Sequence, residues 1–293
     1  MLGISRPVLR SQSTPVAVAA AVALATVGVY SFYSTSSKST PPKTFGRGPA
    51  LTSLRLYSIE TLSPDTKRFR FALPTGDAVS GLDLTSALLT LSRPKGKFWP
   101  VVRPYTPIGD LAEPGFIDLA IKKYPNGKAS THIHSLEPGD SLFILGVIRG
   151  YPWKLNEASR VTMIAGGAGI TPMHQLILNI LKTPSERTKI TLVFGINSDA
   201  DALFRSEFSE LQDKSPDRFK VLYTVTSPSK GSPYLKGRMT KELLKQVMGE
   251  ERSGKVFVCG PPGLEKALMG DGRGKFGGIL GELGYEKGEV YKF

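Results

Sequence analysis

Val161-Thr-Met-Ile-Ala-Gly-Gly-Ala-Gly-Ile-Thr-Pro-Met173 reads as a buried strand over 161–165, a glycine turn (Gly166, Gly167, Gly169), and a helix opened by Thr171 and Pro172. Thr suits a helix N-cap, and Pro suits the first helical position because its missing N–H would have no intrahelical partner. Glycines at such a junction let the backbone approach a ligand closely. They also leave N–H groups at a helix start, which favours a phosphate. The spacing is Gly-Gly-x-Gly-Ile-Thr-Pro, not the G-x-G-x-x-G of the common dinucleotide turn. Alone, such a turn packs helix on strand as readily as it binds a ligand.

Strand and helix signals alternate from there onward. Buried strands recur at 189–195, 219–226 and 255–259, with helical stretches 173–181, 203–211 and 240–248 between them. Continuous apolar strands separated by helices predict a doubly wound parallel sheet over 156–293. Ligands in such sheets lie beyond the carboxyl ends of the strands. The glycine turn, Asn197-Ser-Asp-Ala-Asp201 and Cys259-Gly-Pro-Pro262 all fall there and converge on one crevice. A lone buried cysteine is usually inert packing, but Cys259 at a strand end beside Gly-Pro-Pro is expected to line that crevice.

Residues 46–155 read differently. Apolar and polar residues alternate over 54–60 and 66–72 on either side of Ser63-Pro-Asp65, and short runs follow at 87–91, 101–105, 116–122 and 141–145. Short strands parted by Gly/Pro turns predict a small antiparallel β-barrel. Within it, Val102-Arg-Pro-Tyr-Thr-Pro107 offers a guanidinium able to pair with a phosphate, a flat aromatic face at Tyr105 and a hydroxyl at Thr106. In Lys122-Lys-Tyr-Pro-Asn-Gly-Lys-Ala-Ser-Thr131, the Asn126-Gly127 turn feeds Ser130 and Thr131, expected to cap a short helix and form a second anion site. His132 and His134, two apart, read as structural or surface residues sharing a strand face, since no third ligand is near and no metal site is expected. Trp99 and Trp153 are expected to pack.

The N-terminal 45 residues read as an anchor or targeting segment with its tether. Residues 11–37 carry no charge, and 16–33 are almost entirely apolar, long enough for one transmembrane helix. Tyr30, Phe32 and Tyr33 sit at one end as interfacial rings do. Arg6 and Arg10, without acids, resemble a sorting presequence, of mitochondrial character in preference to a cleaved secretory signal. Residues 34–49 are a polar, Pro-broken tether.

At 293 residues, two folded domains are expected. The net charge is +13, and residues 1–59 supply six basic side chains and no acid. A basic body points to an acidic partner or anionic ligands through steering. Nucleic acid is excluded as a partner, because no basic tract with interleaved aromatics appears. A single cysteine excludes an internal disulfide framework.

Arg103-Pro-Tyr-Thr106, Gly127-Lys-Ala-Ser130, Gly166-Gly-Ala-Gly-Ile-Thr-Pro172 and Cys259-Gly-Pro-Pro262, in that order, resemble the ferredoxin-reductase-like flavoproteins, over roughly residues 50–293. The resemblance is nearest to the NADH-cytochrome b5 reductases among them. Tyr124-Pro-Asn-Gly127 and Tyr151-Pro-Trp153 look like their fungal mitochondrial form. It implies an FAD-binding barrel, an NADH-binding domain, hydride transfer from NADH to FAD, and single electrons passed to cytochrome b5 or a similar acidic haem protein. It further implies that Arg103, with Pro104 beside it, holds the FAD pyrophosphate, Tyr105 stacks on the flavin, and Thr106 bonds near its reactive nitrogen. Lys128, Ala129 and Ser130, after Gly127, would close on the diphosphate. Thr171, followed by Pro172, would sit between flavin and nicotinamide, with Thr106, Thr171 and Cys259 nearest the chemistry. Lys122 would stand on the NADH side, and Gly166, Gly167 and Gly169 with Cys259, Gly260 and Pro261 would bracket NADH. Asp201 would accept from the ribose 2′-hydroxyl and repel a 2′-phosphate, while also capping a helix from Ala202 onward. Phe293 matches the family's aromatic end. The implied location is the mitochondrial outer membrane, with a processed form in the intermembrane space. Two departures stand out: Leu84-Thr-Ser-Ala-Leu88, where many members carry a Gly-Gln-His type stretch, and the glycine-rich 270–278. Competing readings are an NADH reductase of quinone or another acceptor, and a membrane-tethered nucleotide-binding module without redox activity.

Overall fold

Alternation on either side of the Pro64-Asp65 turn produces the first hairpin. Strands β1 (Pro49–Ser63) and β2 (Thr66–Ala72) pair antiparallel with Ser63 opposite Thr66. Asp65 closes the turn by accepting from the Ser63 hydroxyl at 3.1 Å and the Thr66 hydroxyl at 2.9 Å. The computed structural model describes residues 40–46, 49–94, 96, 99–249, 254–272 and 276–293. The anchor or targeting segment read at 16–33 lies outside them. Among the described residues, no helix is long and apolar enough to cross a membrane.

The hairpin grows into a seven-stranded antiparallel sheet with β3 (Ala87–Ser92), β4 (Val101–Tyr105), β5 (Pro107–Ile108), β6 (Phe116–Lys122) and β7 (Ser141–Ile148), in the order β4-β3-β7-β1-β2-β6-β5. It curls into a half-barrel whose inward residues, among them Leu54, Leu56, Phe69, Phe71, Leu119 and Ile144, form one core. Phe45, which the sequence places at the end of the tether, is fully buried in that core and its N–H donates to the Ser80 carbonyl at 2.8 Å. A short helix, α1 (Lys128–His134), follows β6.

In the second half, the strands are β8 (Arg160–Gly166), β9 (Lys189–Ile196), β10 (Phe219–Val225), β11 (Leu235–Lys236), β12 (Lys255–Cys259) and β13 (Val290–Lys292). All pair parallel in the order β11-β10-β9-β8-β12-β13, as continuous apolar strands with helical crossovers require. The helices are α2 (Ile170–Lys182), α3 (Arg205–Lys214), α4 (Lys241–Met248), α5 (Pro262–Met269) and α6 (Gly278–Glu282). Two cores form on this sheet, one including Val161, Met163, Leu176, Leu192 and Phe257, the other Ile164, Val193, Leu244, Val256 and Leu268. The ends of the glycine-rich 270–278 stretch cross backbone to backbone: a Cβ on Gly278 would stand 2.6 Å from the Gly270 nitrogen.

Several local expectations change. His132 and His134 lie on α1 and not on a strand; His134 Nε2 bonds the Ile121 carbonyl at 2.8 Å, and burial lowers the pKa of both rings. Trp153 packs, with its indole N–H donating to Glu186 at 3.0 Å, but Trp99 is 76% exposed and is no core residue. Helix α2 begins at Ile170 with Gly169 as N-cap, so Thr171 is a second-position residue whose hydroxyl donates to the Ala168 carbonyl at 3.2 Å. Pro172 still falls among the first turn's unpaired N–H positions, where its lack of a donor is harmless.

Candidate functional site

Two clefts open at the carboxyl edge of the parallel sheet. The larger, about 990 Å³, lies between that edge and the half-barrel. Its walls include residues 103–106 from β4 and the link to β5, 126–130 at the start of α1, the turn at Ala168 and Gly169, Thr171 and Pro172 on α2, 259–262 after β12, and 291–293. The smaller, about 360 Å³, is lined by Lys122, Gly166, Gly167, Asn197, Asp201, Thr226 and Arg238 among others. Tyr124 and Pro261 belong to both, so the clefts are continuous there.

Every residue to which the resemblance gives a ligand role stands on one of these walls; Thr131, expected at the second anion site, lies inside α1 and lines neither cleft. Arg103, Pro104, Tyr105, Thr106, Gly127, Lys128, Ala129, Ser130, Gly169, Thr171, Pro172, Cys259, Gly260, Pro261 and Phe293 line the larger. Lys122, Gly166, Gly167, Asp201 and again Pro261 line the smaller. Tyr124, Arg149, Thr85, Tyr291 and Lys292 were not singled out and also line the larger cleft. Tyr124 had a signal in its Tyr-Pro-Asn-Gly turn. Arg149 follows an ordinary strand end, and only folding brings it to the cleft.

The local geometry follows from the backbone. The Tyr124–Gly127 turn closes through the Gly127 N–H on the Tyr124 carbonyl at 2.9 Å, with Asn126 at φ 61. Gly127 is the N-cap of α1 and makes no side-chain cap. Ser130 is therefore no cap; its hydroxyl donates to the Gly127 carbonyl at 3.2 Å and accepts from the Tyr124 N–H at 3.3 Å, bracing the turn.

Electrostatics divide the two clefts. The larger presents four cationic side chains, Arg103, Lys128, Arg149 and Lys292, and its lining residues include no Asp or Glu. Burial pushes the Tyr105 phenol up to about 12 and raises that of Tyr124, so both remain neutral aromatic faces. Burial likewise pushes the Cys259 thiol up to about 12, which makes it an uncharged wall and not a thiolate nucleophile. In the smaller cleft, Lys122 is buried between Asp65 and Asp201. Burial works to lower the Lys122 pKa, and its bonds to both carboxylates outweigh this and raise it. Asp201 Oδ1 accepts from Lys122 Nζ at 2.9 Å, and Oδ2 accepts from the Ser198 N–H at 2.9 Å and hydroxyl at 2.8 Å. Burial raises the Asp201 pKa, but those donors win and hold it below the usual carboxylate range. The expected N-cap role is different in detail: Asp201 closes a 3₁₀ turn at Asp199–Asp201 as partner of Ser198, while α3 starts only after Phe204.

The donor set fits FAD. A pyrophosphate needs cations and tolerates no neighbouring carboxylate, and an isoalloxazine needs flat faces with few polar groups between them. The larger cleft offers both, with a volume at the upper end for ligand sites. Among the described residues, no cluster of His, Cys, Asp and Glu suits a metal.

Fold and site together define a two-domain oxidoreductase that binds a flavin and a pyridine nucleotide. The oxidoreductase FAD-binding domain model matches residues 53–151, and the oxidoreductase NAD-binding domain model matches 163–269. The chain belongs to the NADH-cytochrome b5 reductase family. NADH-cytochrome b5 reductase 2 of Neosartorya fischeri is 45% identical over 97% of this chain and 91% of its own length. The protein of the same name from Pyricularia oryzae is 40% identical over 99% and 96%. The cytochrome b5 reductase domain of Ulva prolifera nitrate reductase superposes with a TM-score of 0.74 at 28% identity, covering 86% of this chain and 100% of that one. A flavohaemoglobin from Malassezia yamatoensis, at 20% identity and a TM-score of 0.66 over 84% of this chain and 61% of that one, shares the fold.

Proposed function

We propose that this chain takes a hydride from NADH onto FAD in the joined clefts and passes electrons singly to cytochrome b5. The observation that carries it is the larger cleft, with four cations, no acid and two neutral tyrosines, opening into the nucleotide cleft at Tyr124 and Pro261. When bound, FAD supplies the exchange between two-electron and one-electron chemistry. Arg103, Lys128 and Arg149 would hold its pyrophosphate, and Tyr105 would flank the ring system. The Thr106 and Thr171 hydroxyls would orient flavin and nicotinamide. Pro104, Pro261, Phe293 and the neutral Cys259 would exclude water. Asp201 is fixed by Lys122 and Ser198, and this triad shapes the nucleotide cleft beside the glycine turn. No acid–base pair is required, since the hydride moves directly when the rings are held in contact.

An absorbance spectrum of the purified full-length chain, taken without oxygen before and after NADH, tests this reading. A flavin spectrum that bleaches on adding NADH is expected, followed by reduction of added cytochrome b5. A colourless protein that takes up no FAD would favour the non-redox nucleotide-binding module.

The uncharged, apolar stretch at 16–33, with Arg6 and Arg10 before it and no acid until Glu60, supports an N-terminal membrane anchor. On this reading the chain resides in the mitochondrial outer membrane, and a processed form occurs in the intermembrane space. Full-length protein is expected to stay with membranes through alkaline extraction. A shorter form with a new N-terminus, found by mass determination, is expected in the soluble fraction. Release of the full-length chain by alkali would remove the anchor.

A further inference from the structure

The outer face of the half-barrel is apolar across neighbouring strands. Register sets Val102 on β4 opposite Leu91 on β3, Leu91 opposite Phe143 on β7, and Phe143 opposite Ser53 on β1. Residues opposite one another in a ladder share a face. This row is the outward one, since the adjacent Leu54, Leu142 and Ile144 fill the core. Val102 and Phe143 are exposed; Leu51, two residues before Ser53 on the same strand, and Trp99, just ahead of β4, are more so. Trp99 ends the β3–β4 connection Arg93-Pro-Lys-Gly-Lys-Phe-Trp-Pro100, in which three cations precede two aromatic rings and no acid occurs. Protein interfaces deplete lysine at their centre, whereas an anionic bilayer attracts it and takes tryptophan into its headgroup layer.

Chain length favours the same occupant. The apolar stretch read as an anchor ends at Tyr33, and Pro42 is already fixed to the half-barrel, its carbonyl accepting from the Val79 N–H at 2.9 Å. Residues 34–41 between them span at most about 28 Å when fully extended. A body on so short a lead is kept beside the bilayer that the anchor enters. We propose that this outer face, with Trp99 and the 93–97 cations at its edge, docks on an anionic bilayer surface as a second contact beside the N-terminal anchor. The lead rests on the anchor reading above; the face does not. Successive residues on β4 alternate sides, and Arg103 lines the larger cleft, so docking through Val102 leaves the Arg103 side of that cleft open.

The test places the full-length holoenzyme on vesicles of phosphatidylcholine and phosphatidylinositol whose acyl chains carry bromine, which quenches a tryptophan only on close approach. The chain has two tryptophans, and Trp153 is packed in the parallel half with its indole N–H held by Glu186. Strong quenching of the wild-type emission is expected, and Trp99→Phe should abolish it. Lys95→Ala with Lys97→Ala should lower the docking equilibrium, read from the quenched fraction, about 25-fold, at about fivefold for each cation near a charged bilayer. FAD content and NADH turnover with a soluble acceptor should stay unchanged in that variant. Vesicles of phosphatidylcholine alone should weaken quenching in the same way. Equal quenching in the wild type and Trp99→Phe, or quenching indifferent to both the cations and the anionic lipid, would overturn the proposal. A dimer in solution that Leu51→Ser disperses, without quenching on vesicles, would give the face to a second copy of this chain and overturn it as well. Alkaline release of the full-length chain, with quenching on anionic vesicles intact at neutral pH, would remove the anchor and uphold the docking face. Retention through alkali without quenching would uphold the anchor and remove the face.

Discussion

Gly169→Ala is expected to lower the melting temperature by about 8 °C and to raise the KM for NADH severalfold. A Cβ on Gly169 would stand 2.2 Å from the Cys259 carbonyl oxygen, 2.5 Å from its carbon and 2.8 Å from the Gly260 nitrogen. All three are backbone atoms, so no rotamer change relieves the overlap, and the end of β12 must part from the start of α2. Overpacking of this kind costs about 3 kcal/mol, and each kcal/mol is worth roughly 2–4 °C in a chain of this size. The displaced segments are walls of the larger cleft, which ties the stability loss to the binding loss. Gly263→Ala provides the control, since nothing lies within 4 Å of a Cβ there. Calorimetric melting and NADH titration measure both effects; an unchanged melting temperature for Gly169→Ala would refute the close contact.

Gln175→Leu is expected to cost about 4 kcal/mol and to slow flavin reduction about tenfold, with FAD still bound. Gln175 is buried on α2, yet its amide serves the half-barrel. Oε1 accepts from the Thr85 N–H at 2.8 Å, and Nε2 donates to the Pro107 carbonyl at 2.6 Å. Leucine leaves two backbone groups without partners in a site closed to water, and an orphaned buried group costs about 1–3 kcal/mol. Thr85 is held at φ 58 in the same cluster; its hydroxyl accepts from the Tyr151 N–H at 2.9 Å, and a Cβ on Gly150 would stand 2.1 Å from that oxygen. This junction ties the half-barrel wall of the larger cleft to α2; with the proposed function it would set the approach of nicotinamide to flavin. Stopped-flow reduction by NADH together with chemical denaturation measures the two effects. Wild-type reduction kinetics in Gln175→Leu would show that the junction does not set the alignment.

The parallel half was the more legible in sequence. Lys189–Ile196, Phe219–Val225 and Lys255–Cys259 fall within a residue of the apolar runs, because a strand covered on both faces carries apolar side chains at consecutive positions, with Lys220 the exposed exception inside Phe219–Val225. The half-barrel strands were also readable from alternation, as at Thr66–Ala72. The helix starts were less so. Thr171 and Ser130 look like caps but sit inside their helices, because Gly169 and Gly127 turn the chain earlier. The two-residue strands Pro107–Ile108 and Leu235–Lys236 are too short to show a period, and exist only where a neighbouring strand completes them.

Sequence by itself determined the order of half-barrel and parallel sheet, the glycine turn at the end of β8, and Arg103, Tyr105 and Lys128 of the larger cleft. Each of these is written in local spacing: a period of two or a continuous apolar run, a turn that only glycine fits, an Arg and a Tyr two residues apart. Tertiary structure alone decided what those residues meet. It brought Lys122 from β6 onto Asp201 after β9, sent the amide of Gln175 across to Thr85 and Pro107, and set Arg149 in the larger cleft. These pairings join segments up to 90 residues apart, and no local pattern encodes them. They follow from the order in which the strands pack and from the requirement that every buried polar group find a partner.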